Sequence, residues 1–194
     1  MWHRETSLQG FDAVVIPGGF TYGDYLRGGA IAALAPILSE VRRFAENGLP
    51  VLGICNGFQI LTEAHILPGA LVRNSGRKFV CRKIAVTPHN TDSFWTEGCK
   101  GVLHMPVAHN EGRYIADEET LERLEQERRV AFIYCSEEGE PTDEANPNGS
   151  AANIAGILND RGNVLGLMPH PERVVAELLG GTDGRSILER LSDA

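Results

Sequence analysis

Two short apolar runs, Phe11 to Ile16 (FDAVVI) and Pro50 to Ile54 (PVLGI), bracket a stretch of helical periodicity, and this alternation constrains the fold more than any other feature. Each run is too short for a helix and is followed at once by turn or glycine residues, as expected of strands buried in a sheet. Between them Ile31, Leu34, Leu38, Val41, Phe44 and Ala45 recur at three- and four-residue spacing, which predicts one helix from Ala30 to Asn47, with Asn47-Gly48 as its stop. A second helical stretch opens at Cys55 and runs to about Ala64. Strand, helix, strand, helix implies crossover connections, hence an α/β protein with an open, mostly parallel sheet and helices on both faces.

The later chain reads less regularly. Lys78 to Thr87, Val102 to Ala108 and Val130 to Cys135 suggest further strands, and Glu118 to Glu127 a charged helix. Ile154 to Leu158 and Val164 to Met168 are apolar runs around the polar segment Asn159 to Asn163, which predicts an antiparallel hairpin. Its second arm delivers Pro169-His170-Pro171-Glu172. One domain over residues 1–194 accounts for the chain, with no linker and no internal repeat.

Composition narrows the function. Apolar residues make up 42% and charged residues 23%, close to globular averages, and the net charge of −8 argues against a nucleic-acid partner. No apolar run approaches the ~18 residues of a membrane span. The four cysteines, Cys55, Cys81, Cys99 and Cys135, form no C-x-x-C pair, so no metal site is expected and reduced thiols in a cytoplasmic setting are.

Cys55 carries the chemistry. It stands where a buried strand gives way to a helix, in Gly53-Ile54-Cys55-Asn56-Gly57-Phe58-Gln59, the setting of a nucleophile elbow. Flanking glycines would keep Cβ atoms clear of the thiol, and the helix N-terminus would favour thiolate. A lone cysteine after an apolar strand is usually a small buried hydrophobe, and His170 and Glu172 taken singly are ordinary loop residues. Together they satisfy the logic of nucleophile, base and orienter, because the two prolines fix the direction of His170 and Glu172 at i+2 in extended chain reaches the same side. Backbone N–H groups near Gly18 and Gly19, and that of Asn56, are candidate donors to an oxyanion.

These motifs carry a resemblance. G-x-C-x-G-x-Q followed by P-H-P-E is similar to the class I glutamine amidotransferases, whose fold is flavodoxin-like. Pro17 to Arg27 (PGGFTYGDYLR), Pro106 to Tyr114 (PVAHNEGRY), Asn146 to Ser150 (NPNGS) and Gly162 to Arg173 (GNVLGLMPHPER) resemble those members that feed a purine-pathway synthetase acting on formylglycinamide ribonucleotide. The resemblance implies a Cys55, His170 and Glu172 triad, with Gln59 helping to hold L-glutamine. It further implies ammonia delivery to a large synthetase subunit, with a small accessory subunit where the enzyme is split. No phosphate loop is present here, so ATP and magnesium are expected on the synthetase, and this chain needs no cofactor. The family's segment ahead of Trp2-His3-Arg4-Glu5-Thr6 usually holds one more strand and helix, so the chain is expected to be N-terminally incomplete, starting upstream of Met1. Position 28 is Gly where Cys is frequent, and position 110 is Asn where Gly is common. Two other readings stay open: a stand-alone cysteine hydrolase on the same sheet, and a noncatalytic scaffold.

Overall fold

A computed structural model describes residues 2–90 and 92–193, so Met1, where the expected truncation falls, and the last residue of the expected domain lie outside the described residues. Nine strands are present among them: β1 (Val14–Ile16), β2 (Val51–Ile54), β3 (Ala70–Val72), β4 (Val80–Pro88), β5 (Leu103–His109), β6 (Arg113–Ile115), β7 (Val130–Cys135), β8 (Ile154–Leu158) and β9 (Val164–Leu167). The α-helices are α1 (Ile37–Glu46), α2 (Asn56–Glu63), α3 (Glu118–Gln126) and the single turn α4 (Arg185–Leu188).

Seven strands form the main sheet in the order β1-β2-β9-β8-β7-β4-β5. β1, β2 and β9 are parallel neighbours, and the remaining neighbours pair antiparallel. Followed across the sheet, those pairings leave β1, β2, β9, β7 and β5 running one way and only β8 and β4 the other. The C-terminal ends of β1, β2, β9 and β5 therefore share one edge, where sites on such sheets form. The β8–β9 hairpin is as expected. Asn159 Oδ1 accepts from the Val164 N–H, and Asn163 Nδ2 donates to the carbonyls of Ala45 and Leu49, tying the hairpin loop to the end of α1.

The secondary structure departs from expectation at two points. The helix foreseen from Ala30 begins at Ile37, because Pro36 forces Ala35 into an extended conformation (φ −65°, ψ 139°); ahead of it Ala32–Leu34 make only a 3-10 turn. The two-stranded sheet of β3 and β6 was not foreseen, since three-residue strands are too short to show a period.

α2 packs on β1, β2 and β9 at close range. A Cβ on Gly57 would fall on the carbonyl oxygen of Ile16, and one on Gly53 would meet the Gly57 carbonyl at 2.8 Å. On Gly166 it would strike Phe58. The glycines flanking Cys55 thus serve the approach of helix to sheet, not clearance for the thiol as the sequence suggested. Phe58 is fully buried and its ring stacks on that of Tyr114 with centroids 6.1 Å apart. Leu52, Leu61, Leu165, Leu167 and Phe132 complete the core there, and truncating a ring such as Phe58 to alanine costs about 3–5 kcal/mol. At the other extreme β1 is the edge strand, with Val15 42% exposed beside an apolar groove of about 710 Å³ lined by Leu8, Phe11, Val14, Ile16, Leu38 and Val41.

Candidate active site

Cys55 sits between β2 and α2 with φ 50° and ψ −102°, a conformation that a residue with a Cβ adopts only under strain. Its N–H is anchored to the Leu167 carbonyl (2.8 Å) at the end of β9, so the turn is held by the neighbouring strand. Strain retained in a rigid frame is the setting of a nucleophile elbow, and here it holds the thiol toward the Ala108 carbonyl. β9 then leads, through Met168 and Pro169, to His170, whose N–H donates to the Pro106 carbonyl of β5 (2.9 Å). Cys55 and His170 thus hang from adjacent parallel strands, β2 and β9.

Gly18, just beyond β1, fits against both. A Cβ there would lie 2.6 Å from His170 Cε1 and 3.5 Å from Cys55 Cβ, whereas one on Gly19 would meet nothing within 4 Å. His170 Nδ1 lies 2.6 Å from Glu172 Oε1, and its Nε2 is buried without a hydrogen-bond partner. The route differs from the extended chain expected: Pro171 opens a 3-10 turn over Pro171–Arg173 that folds Glu172 back onto the ring, because proline's fixed φ suits the first position of a helical turn.

The thiol is not the resting thiolate that its helix N-terminus led us to expect. Burial pushes Cys55 up to about 12, and the carboxylates of Glu172 and Asp24 add to the rise. The Asn56 N–H and Arg173 oppose it without prevailing. The Sγ accordingly donates to the Ala108 carbonyl at 3.8 Å. Desolvation outweighs the half-charge of a helix end here.

Asn56 and Gln59 brace the surroundings. Asn56 Oδ1 accepts from Thr21 Oγ1 (2.7 Å) and from its N–H (3.3 Å), while Asn56 Nδ2 donates to Gln59 Oε1 (2.7 Å). Gln59 Nε2 donates to the Glu111 carbonyl (2.6 Å), so both ends of its amide are engaged within the protein. The Glu111 carboxylate in turn accepts from the Gly28 N–H at 2.8 Å, and Arg27 pairs with Glu63 through two contacts of 2.8 and 2.9 Å. These links fasten the loop after β1 to α2 and to the loop after β5. Sequence reasoning missed Thr21 and Glu111 as parts of this network, and the buried His109 two residues before Glu111. The signal was present in the polar PVAHNEGRY segment, whose strand alternation places His109 on the buried face with Met105 and Val107.

Among the described residues no group of three His, Cys, Asp or Glu side chains could hold a metal ion, and no helix is long and apolar enough to cross a membrane.

Known proteins share this chain's sequence and fold. Residues 1–181 match the CobB/CobQ-like glutamine amidotransferase domain. The chain is 54% identical over 193 residues to a phosphoribosylformylglycinamidine synthase subunit PurQ of Chlorobium chlorochromatii, covering 98% of this chain and 82% of that protein. It is 55% identical over 190 residues to the PurQ subunit of Thermomicrobium roseum, covering 97% of this chain and 80% of that protein. Among solved structures, a chain of PurLQS from Thermotoga maritima superposes with a TM-score of 0.83 at 40% identity, over 96% of this chain and 81% of that one.

Proposed function

Because the chain belongs to the CobB/CobQ-like glutamine amidotransferase family, we propose that Cys55, His170 and Glu172 are the residues with which it takes ammonia from L-glutamine. The protein is the glutaminase component of a phosphoribosylformylglycinamidine synthase, an ATP-dependent carbon–nitrogen ligase of purine biosynthesis. It works with the synthetase and the small accessory subunit of that assembly. We place ATP and magnesium on the synthetase, and the enzyme in the cytoplasm.

The observation that carries the triad is the meeting of Gly18, Cys55 and His170 at the ends of three adjacent parallel strands, with Glu172 on the far nitrogen of the imidazole. In the resting site the thiol is protonated, so attack begins with proton transfer to His170 Nε2 as substrate binds. Glu172 stabilises the imidazolium through Nδ1–H. The sulfur adds to the side-chain carbonyl, and the N–H groups of Gly18, Gly19 and Asn56 take the role of oxyanion donors. His170 then protonates the departing nitrogen, leaving a γ-glutamyl thioester that water hydrolyses to glutamate. Gln59 shapes the glutamine subsite by bracing Asn56 and the loop at Glu111 rather than by offering a free amide.

Cys55→Ser tests the assignment. With the synthetase present, glutamine-dependent product formation is expected to fall by at least about a thousandfold, while synthesis from added ammonia persists. Retained glutamine turnover would overturn the nucleophile. Hydrolysis that never depends on, nor supplies, the synthetase would favour a stand-alone hydrolase.

A further inference from the structure

Beyond the triad, one deeply buried titratable group has no role so far. His109, the last residue of β5, is only 2% exposed, and its Nε2 and that of His170 are the two imidazole nitrogens buried without a partner among the described residues. The rings are held alike, each through Nδ1. What holds them differs. His170 is gripped by the carboxylate of Glu172, whereas His109 Nδ1 lies 3.1 Å from the amide oxygen of Asn74.

The orientation of Asn74 fixes the tautomer. Its Nδ2 donates to the carbonyls of Lys78 (2.9 Å) and His109 (3.0 Å), and its Oδ1 also accepts from the Gly112 N–H (3.0 Å). Oδ1 is therefore an acceptor, Nδ1 of His109 carries the hydrogen, and Nε2 presents a bare lone pair. Burial, with the neighbouring His170 adding to it, lowers the His109 pKa to about 4, so the ring stays neutral at ordinary pH. A carboxylate partner supports a ring that cycles through its charged form; an amide partner in a dry interior keeps the other ring neutral. His170 is built to move protons and His109 to accept a hydrogen bond.

An acceptor buried in this way is unfavourable until a donor arrives. Its place says which donor. Within the same stretch of β5, the Ala108 carbonyl takes the Cys55 thiol and the Pro106 carbonyl takes the His170 N–H, so this strand end runs past both reacting groups. Gly112 closes over the ring, since a Cβ there would overlap it. Given the glutaminase reading, on which this inference rests, the group that reaches that place with N–H bonds to offer is the scissile carboxamide.

We propose that His109 is a substrate-contacting residue of this site, its Nε2 accepting an N–H first of the glutamine carboxamide and then of the ammonia released from it. No bond is made to His109 and no proton is taken. With one N–H turned to His109, the nitrogen lone pair that develops in the tetrahedral intermediate is left for His170. A neutral acceptor also leaves the product as ammonia rather than ammonium, the form able to attack as a nucleophile in the synthetase.

The test compares L-glutamine with the γ-methyl ester of L-glutamate, which has the same acyl group and no N–H on its leaving group. His109→Gln, whose side-chain oxygen can stand near Nε2, and His109→Met, which fills the space without an acceptor, are assayed as full-length chains with the synthetase. His109→Met is expected to lower kcat/KM for glutamine about tenfold or more while changing that for the ester by less than about threefold. His109→Gln should recover most of the preference for the amide. Equal losses on both substrates would reduce His109 to a packing residue, and no loss on glutamine would remove it from the site; either overturns the proposal. Absence of glutamine hydrolysis by the wild-type chain with its synthetase would instead overturn the glutaminase reading itself.

Discussion

At the scale of single residues, the site works through two competing influences on Cys55, burial and the helix end, and burial wins. The group gains its proton affinity on folding, with a pKa that rises from 9.0 to about 12, so the folded state binds this proton more tightly than the unfolded chain. Stability from this source is complete below pH 9.0 and is lost as pH climbs toward about 12. At ~1.4 kcal/mol for each unit, the full loss is on the order of 4 kcal/mol. Denaturant melts of wild type and Cys55→Ala at neutral and strongly alkaline pH should show a visibly shallower alkaline decline in the variant; parallel declines would mean the thiol is less buried than it is here. Glu172 and His170 separate by role. Glu172→Gln keeps a hydrogen-bond acceptor at Nδ1 and should retain some glutaminase activity, whereas His170→Ala removes the proton carrier and should leave at least tenfold less. Rates in the opposite order would reverse the two assignments. Cys55, His170 and Glu172 could be picked out of the sequence as candidates because prolines and glycines advertise where the backbone is constrained. The pairing of His109 with Asn74 could not, since a buried polar contact shows itself only when segments distant in sequence are brought together.

At the scale of elements, what the sequence conveyed best was the alternation of β1, α1, β2 and α2, and the β8–β9 hairpin, because each has enough residues to display a period or a turn. It misjudged the start of α1, where the apolar spacing continued through Pro36 although the backbone could not. It also misread the glycines around Cys55. Their purpose is backbone contact between α2 and the strands, and that makes Gly57 a joint between packing and catalysis. Gly57→Ala would drive a methyl group onto the Ile16 carbonyl, which cannot move aside without shifting β1. We expect a loss of ~3 kcal/mol, or roughly 6–12 °C in Tm, together with a fall in glutaminase rate as the elbow is displaced. A melt within about a degree of wild type would show that helix and strand are more loosely joined.

At the scale of the whole molecule, the main sheet ends in two edge strands, β5, paired along its length with β4, and the short β1. Val15, half exposed at the middle of that edge strand, adjoins the apolar groove of Phe11, Val14 and Leu38. An unpaired apolar edge invites pairing with another chain. Sedimentation of this 194-residue chain without its synthetase should therefore reveal association that grows with concentration, and Val15→Lys, which places a charge at that edge, should suppress it. A wild-type chain that stays monomeric at high concentration would count against the edge as an association surface. The position of β9 between β2 and β8 has a different consequence, one that unfolds in time. Cys55 belongs to an early strand and His170 to the loop after the last one, and every other strand from β3 to β8 is laid down between them. Closing so long a loop is slow and is rewarded only when β9 slots beside β2. With the roles proposed above, partly folded chains would possess the thiol without its base, and the molecule would be unable to squander glutamine until its folding is all but finished.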